Sequence, residues 1–226
     1  MKIGCSIILG IVLAGLVALG IAFLSVWDYA TLHYRLTYVV ETPDGERTAS
    51  SVIYVRREDT TRLPLPNTGY GYVLEGEAVV IDLGQGKYLF SLIQENAYRL
   101  PPAVFDDIRP QGMGIVPFTE WLAERKPAAV VPRELYPLLV TFEDINDPAS
   151  VKRVDPDDLA AMFGPGHRLK TVTLEITDDP ITEGRVESVL GWWSSYENLQ
   201  LDGERYRRAQ SELLASQLNR LDFRRN

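Results

Sequence analysis

Between Ile3 and Trp27 the chain runs for 25 residues without a charged side chain, and this stretch constrains everything that follows it. At about 1.5 Å of rise per residue, a helix of that length reaches roughly 37 Å, enough to cross a hydrocarbon core of about 30 Å with some tilt. Lys2 precedes the run, while Trp27 and Tyr29 stand at its far end as interfacial aromatics and Asp28 restores polarity. A cleaved signal peptide is the competing reading. Ala18-Leu19-Gly20 has the small-x-small form of a cleavage site, but Ile21 to Leu24 carries the apolar run beyond it. Cys5 lies before the apolar stretch, the wrong side for a lipoprotein signal. Residues 1–27 therefore read as an uncleaved transmembrane signal anchor, bounded by Ile3 and Trp27, with the amino terminus in the cytoplasm.

Within this segment Ser6, Gly10, Ala14, Ala18 and Ala22 recur every four residues. Small residues at that spacing let helices approach closely, which makes Gly10, Ala14 and Ala18 the candidates for a helix–helix contact. The plainer explanation is that Gly and Ala are common in membrane segments. A second copy of the chain or another envelope protein are the candidate partners, besides the lipid bilayer itself.

The whole chain averages to a mean hydropathy near zero and a net charge of −8. Both figures hide a division. Residues 202–226 hold six Arg and four acids, a net of +2, so the preceding 201 residues carry −10. An acidic body argues against a nucleic-acid partner, which would require a basic surface field. One Cys and two His exclude a disulfide scaffold, a Cys-based zinc site and a His-rich metal centre.

The body from Asp28 to Gln200 reads as a mainly antiparallel α+β domain. Arg35–Glu41, β-branched and aromatic, and Ser51–Arg57 flank the turn Pro43-Asp44-Gly45, which predicts a hairpin with Leu36, Tyr38 and Val40 on one face. A proline-broken loop is expected from Glu58 to Gly71. A second hairpin is expected from Ala78–Asp82 and Tyr88–Ile93 about Gly84-Gln85-Gly86. Prolines keep helices short in the middle of the chain, with 118–124 the best candidate. Strands are expected at 138–142, at 151–154, and at 170–176 with Val172, Leu174 and Ile176 inward. Asp155, Pro156 and Gly164 mark a helix with Asp155 as N-cap. Residues 201–226 are expected to form a C-terminal amphipathic helix and basic tail. There Tyr206, Ala209, Leu213, Leu214, Leu218 and Leu221 make an apolar stripe, packed on the domain's own sheet.

Chemistry is sparse. No G-x-S-x-G occurs, and Gly84-Gln85-Gly86-Lys87 lacks the spacing and the helix of a phosphate-binding loop. His33 and His167 have no Ser or acid at telling spacing and read as loop histidines. Carboxylates are the richest feature. Glu143, Asp144, Asn146 and Asp147 gather hard oxygen ligands in one loop, a weak calcium candidate; turn and cap chemistry explains the same residues. Asp144-Ile145-Asn146-Asp147 looks like the calcium linker of cadherin repeats, but Pro148 follows and the partner acidic motifs are missing. Asp106-Asp107 and Asp178-Asp179 read as turns. No catalytic residue and no cofactor is assigned.

The segments Glu41–Gly45, Gly76–Gly84, Val154–Gly166 and Glu175–Thr182 resemble a family of short alphaproteobacterial proteins with an apolar N-terminus and no assigned activity. The resemblance implies a bacterial envelope setting and supplies no site residues. The expected function is a single-pass inner-membrane protein whose periplasmic body is a non-enzymatic binding or structural module. The alternatives are a membrane-tethered hydrolase using paired carboxylates, or a calcium-stabilised interaction module.

Overall fold

The computed structural model describes residues 28–61, 69–205 and 213–225. The apolar run from Ile3 to Trp27, with its candidate contact residues Gly10, Ala14 and Ala18, lies outside the described residues. Among the described residues no helix is long and apolar enough to cross a membrane.

The architecture is α+β, built from two antiparallel sheets and a few short helices. β1 (Asp28–Thr42) and β2 (Gly45–Asp59) form a long hairpin in continuous register around Pro43 and Asp44. Alternation along β1 sends Leu32, Tyr34, Leu36, Tyr38 and Val40 into the core and leaves the intervening residues outward. The expected loop after β2 is shorter than Glu58–Gly71: β2 continues to Asp59, and β3 (Tyr70–Glu77) returns along it. Two glycines within β3 hid this strand in the sequence.

Straight after β3, β4 (Val79–Gly84) and β5 (Lys87–Ser91) form the second hairpin. β6 (Ala128–Val130), β7 (Leu139–Phe142), β8 (Val151–Arg153), β9 (Arg168–Thr177) and β10 (Arg224–Arg225) complete the set. One sheet has the order β10-β3-β2-β1-β9-β6, the other β4-β5-β7-β8.

Two cores result, one on each face of the smaller sheet. The first joins Tyr34, Tyr38, Leu174 and Ile176 of the large sheet to Ile81 and Leu89 of the small one. Phe118 and Leu122 of α2 (Ile115–Arg125) also belong to it; α1 (Leu100–Val104) precedes this helix. The second joins Phe90, Val140 and Phe142 to Val186, Leu190, Trp192, Trp193, Leu218 and Phe223 from the last third of the chain. Burial on both faces explains why β7 is apolar at Leu139, Val140 and Phe142, while its buried Thr141 hydroxyl donates to the Tyr88 carbonyl at 2.7 Å.

Two expectations are corrected. α3 (Leu159–Phe163) is capped by Asp158, whose side chain accepts from Ala161 N–H at 3.0 Å; Asp155 is not the N-cap. Asp155 closes a turn onto Asp157 N–H at 2.9 Å, and Arg133 grips the Asp157 carboxylate through two nitrogens at 2.8 and 2.7 Å. Nor do the described residues of the C-terminal segment form one amphipathic helix. α5 (Leu214–Gln217) is a single turn, and Leu218 then adopts extended backbone. Leu201 N–H donates to the Leu218 carbonyl at 2.9 Å, and the chain runs on into β10. Leu213 and Leu221 are consequently 70% and 51% exposed, while Phe223 is fully buried. Pairing with β3 and burial of Phe223 outweigh the helical stripe. Between β9 and this segment lies α4 (Arg185–Val189).

Candidate functional site

The weak calcium set lies in one loop, where its members are engaged by local amides and by Lys152. Asp144 accepts from Asn146 N–H at 2.9 Å and from the Asn146 side-chain amide at 3.2 Å. Asp147 accepts from Ala149 N–H at 3.0 Å, and Glu143 lies 3.6 Å from the Lys152 ammonium. These are the turn and cap bonds that Asp and Asn make by default. Among the described residues no group of three or more His, Cys, Asp or Glu side chains is placed to hold a metal ion.

The histidines sit apart. His33 Nδ1 is 2.6 Å from the Asp179 carbonyl, and its ring meets Tyr54 edge-on at 5.3 Å. His167 Nδ1 is 2.9 Å from the Gly164 carbonyl. Asp178 and Asp179 are drawn into ion pairs with Lys126 and Arg35.

One carboxylate departs from this surface pattern. Glu77, at the end of β3, is fully buried, and its oxygens accept from Arg185 N–H at 2.9 Å and Val186 N–H at 3.3 Å. It caps the start of α4 from 108 residues upstream. Burial pushes its carboxyl above the usual range, the two amides and Arg224 pulling back. This is the buried carboxyl that an acid–base pair would need, yet both of its oxygens are engaged by backbone. In the sequence, Gly76-Glu77 gives no sign of it.

A second feature that sequence reading missed is an aromatic and arginine cluster where β2 and β3 meet the 95–99 turn. Tyr72 stacks on Tyr98 with ring centroids 3.9 Å apart and planes 16° from parallel. Arg57 lies over the Tyr98 ring at 5.1 Å, and Arg99 over the same ring at 5.4 Å. The Arg57 guanidinium also donates to the Tyr98 carbonyl, and Tyr72 Oη donates to Glu95 Oε1 at 2.7 Å. Burial pushes Arg57 down to about 10, so it remains charged at neutral pH.

Beside this cluster, the 94–103 segment and residues 134–137 enclose a cavity of about 210 Å³. Gln94, Asn96, Arg99 and Glu134 supply its polar groups, and Leu92, Leu100 and Leu135 are among its apolar walls. Tyr136 also lines it, and burial raises its hydroxyl above the ordinary range. The cavity offers hydrogen bonds and one charge of each sign, but no nucleophile beside a base. It can hold a small group.

Comparison with protein-family models, with curated proteins and with solved structures finds no match for the chain.

Proposed function

We propose that the chain is a single-pass inner-membrane protein whose body stands in the periplasm as a non-enzymatic binding module. The observation that carries this reading is the junction between the apolar run and the sheet. The run ends at Trp27, and the described part of β1 starts at the next residue, Asp28, so a span over residues 3–27 would stand next to the central hairpin in the sequence. A bilayer would then lie against the end of the large sheet where Asp28, Asp59 and Tyr70 share one row. Tyr29 and Tyr70, 58% and 70% exposed, stand at that end, as expected of aromatics that face headgroups. The body is thereby held in one orientation, with its far end presented away from the membrane.

Washing isolated membranes with alkaline carbonate tests the anchor. The chain is expected to stay in the pellet, and a Leu13→Arg, Leu16→Arg double variant to be released. Release of the wild-type chain by carbonate would overturn the reading.

A further inference from the structure

The hairpin turn fixes which way the backbone of β2 points. Thr42 and Gly45 close a two-residue turn, and the register to β1 is unbroken beyond it. In an antiparallel pair the hydrogen-bonding direction alternates along the strand. Arg47, Ala49 and Ser51 therefore face β1, while Thr48, Ser50 and Val52 present their N–H and C=O groups to the opposite side. The bonds of Val52 agree: Thr182 N–H donates to its carbonyl at 3.1 Å, and its N–H donates to the Thr182 hydroxyl at 2.9 Å.

β3 pairs with β2 only from Tyr54 onward, because the chain turns away at Gly76 and continues as β4 in the other sheet. Gly76 has φ +137, and a Cβ there would stand 3.2 Å from the Ile53 backbone, so the departure depends on glycine. The Ser51 hydroxyl donates to the Glu77 carbonyl at 2.7 Å and holds the fork closed at its apex. Beyond that apex β2 and β4 belong to different sheets and are not paired. A groove of about 340 Å³ opens between them, with Thr48 and Ser50 on one wall, and Val80 and Ile81 on the other.

Arg47 and Arg185 also line the groove, and neither enters an ion pair among the described residues. Asp82 is the acid in the lining, and its Oδ1 is engaged by Gly84 N–H at 2.8 Å. An open strand edge beside two unpaired guanidinium groups matches an extended chain carrying carboxylates. The segments of this chain outside the described residues offer no such occupant, since 62–68 contains no acid and 206–212 has two Arg against one Glu.

We propose that this groove binds an extended, acidic segment of a partner protein, added as a strand to the β2 edge at Thr48–Ser50. Thr182 already occupies the next position along the same edge, so the incoming segment continues a pairing the fold begins. The proposal rests on the body being a binding module and names the chemistry of what it binds.

The test uses the full chain in detergent micelles and a blocked ten-residue peptide alternating Glu and Val, followed by fluorescence anisotropy. This peptide is expected to bind at least tenfold more tightly than its Lys–Val counterpart. N-methylation at alternate residues should abolish binding, because it removes the donors an added strand needs. Arg47→Glu with Arg185→Glu should reverse the charge preference. Ser50→Pro removes an outward N–H and spares the ladder to β1, so it should weaken binding at least tenfold with little change in melting temperature. Equal binding of the two peptides, or full binding of the N-methylated one by the wild-type chain, overturns the proposal. So does a dimer dispersed by Ser50→Pro in sedimentation, which would assign the edge to a second copy. Carbonate extraction reads the anchor separately, so failure of the groove and failure of the membrane reading are distinguishable.

Discussion

The hydroxyls of Tyr38 and Ser91 lie 2.7 Å apart, both buried, where β1 of the large sheet faces β5 of the small one. This bond ties the two sheets together inside an otherwise apolar layer. Burial raises the Tyr38 hydroxyl well beyond the ordinary tyrosine range, with the Ser91 bond opposing, so the pair stays neutral and hydrogen-bonded across the physiological range. Removing one partner leaves the other buried and unpaired, which costs about 1–3 kcal/mol. Tyr38→Phe and Ser91→Ala are each expected to lower unfolding free energy by that amount in urea titrations. The double variant should cost less than the sum of the two.

Glu77 gives a larger effect and a pH signature. Glu77→Ala leaves the Arg185 and Val186 amides without acceptors at a buried helix start, and is expected to cost about 2–3 kcal/mol. Because burial raises this carboxyl in the folded state, the folded chain binds its proton more tightly than the unfolded chain does. Its contribution is full below the unfolded value and declines as pH rises through the raised one. Urea titrations between pH 4 and 7 should show wild-type stability, measured relative to Glu77→Gln, falling as pH rises.

Much of the fold was legible because alternation speaks plainly in strands buried on one face. Leu36, Tyr38 and Val40, and likewise Val172, Leu174 and Ile176, lie inward as their spacing indicates. β3 was not legible, since Gly71 and Gly76 dilute its pattern, and the second glycine is what lets the chain change sheets. The C-terminal stripe misled, because a helical period in Leu214 and Leu218 cannot reveal that Phe223 has a core waiting for it. Neither the burial of Glu77 nor the groove between β2 and β4 has a local signature. Each arises from segments brought together across the chain, the first by α4 and the second by the fork at Gly76.

Gly166 and Gly164 offer a paired test of backbone and space. Both have positive φ, +86 and +98, but a Cβ at Gly166 would meet Pro43 Cγ at 3.0 Å, whereas nothing lies within 4 Å of one at Gly164. Gly164→Ala is expected to cost about 1–3 kcal/mol for its backbone alone, because φ +98 with ψ 170 is a conformation essentially reserved for glycine. Gly166→Ala should add to the strain of its own positive φ a displacement of Pro43 in the β1–β2 turn, and is expected to cost about 2 kcal/mol or more. Thermal unfolding of the two variants side by side reads the difference.

The loop at 143–147 makes a prediction about calcium. Asp144 Oδ1 and Asp147 Oδ1 serve the loop's own amides, and no group of three or more such ligands is gathered among the described residues, so millimolar Ca²⁺ against EDTA should leave the melting temperature of the full chain unchanged within about 1 °C. Asp144→Asn with Asp147→Asn should behave the same way in both buffers.

The proposed function turns on the apolar run at residues 3–27 crossing the membrane and placing the body on the periplasmic side. Protease access in spheroplasts, with a tag at each end of the chain, tests it most directly. Digestion is expected to remove the C-terminal tag and body while the N-terminal tag survives until the membrane is opened with detergent. Protection of the C-terminal tag in intact spheroplasts would contradict the account.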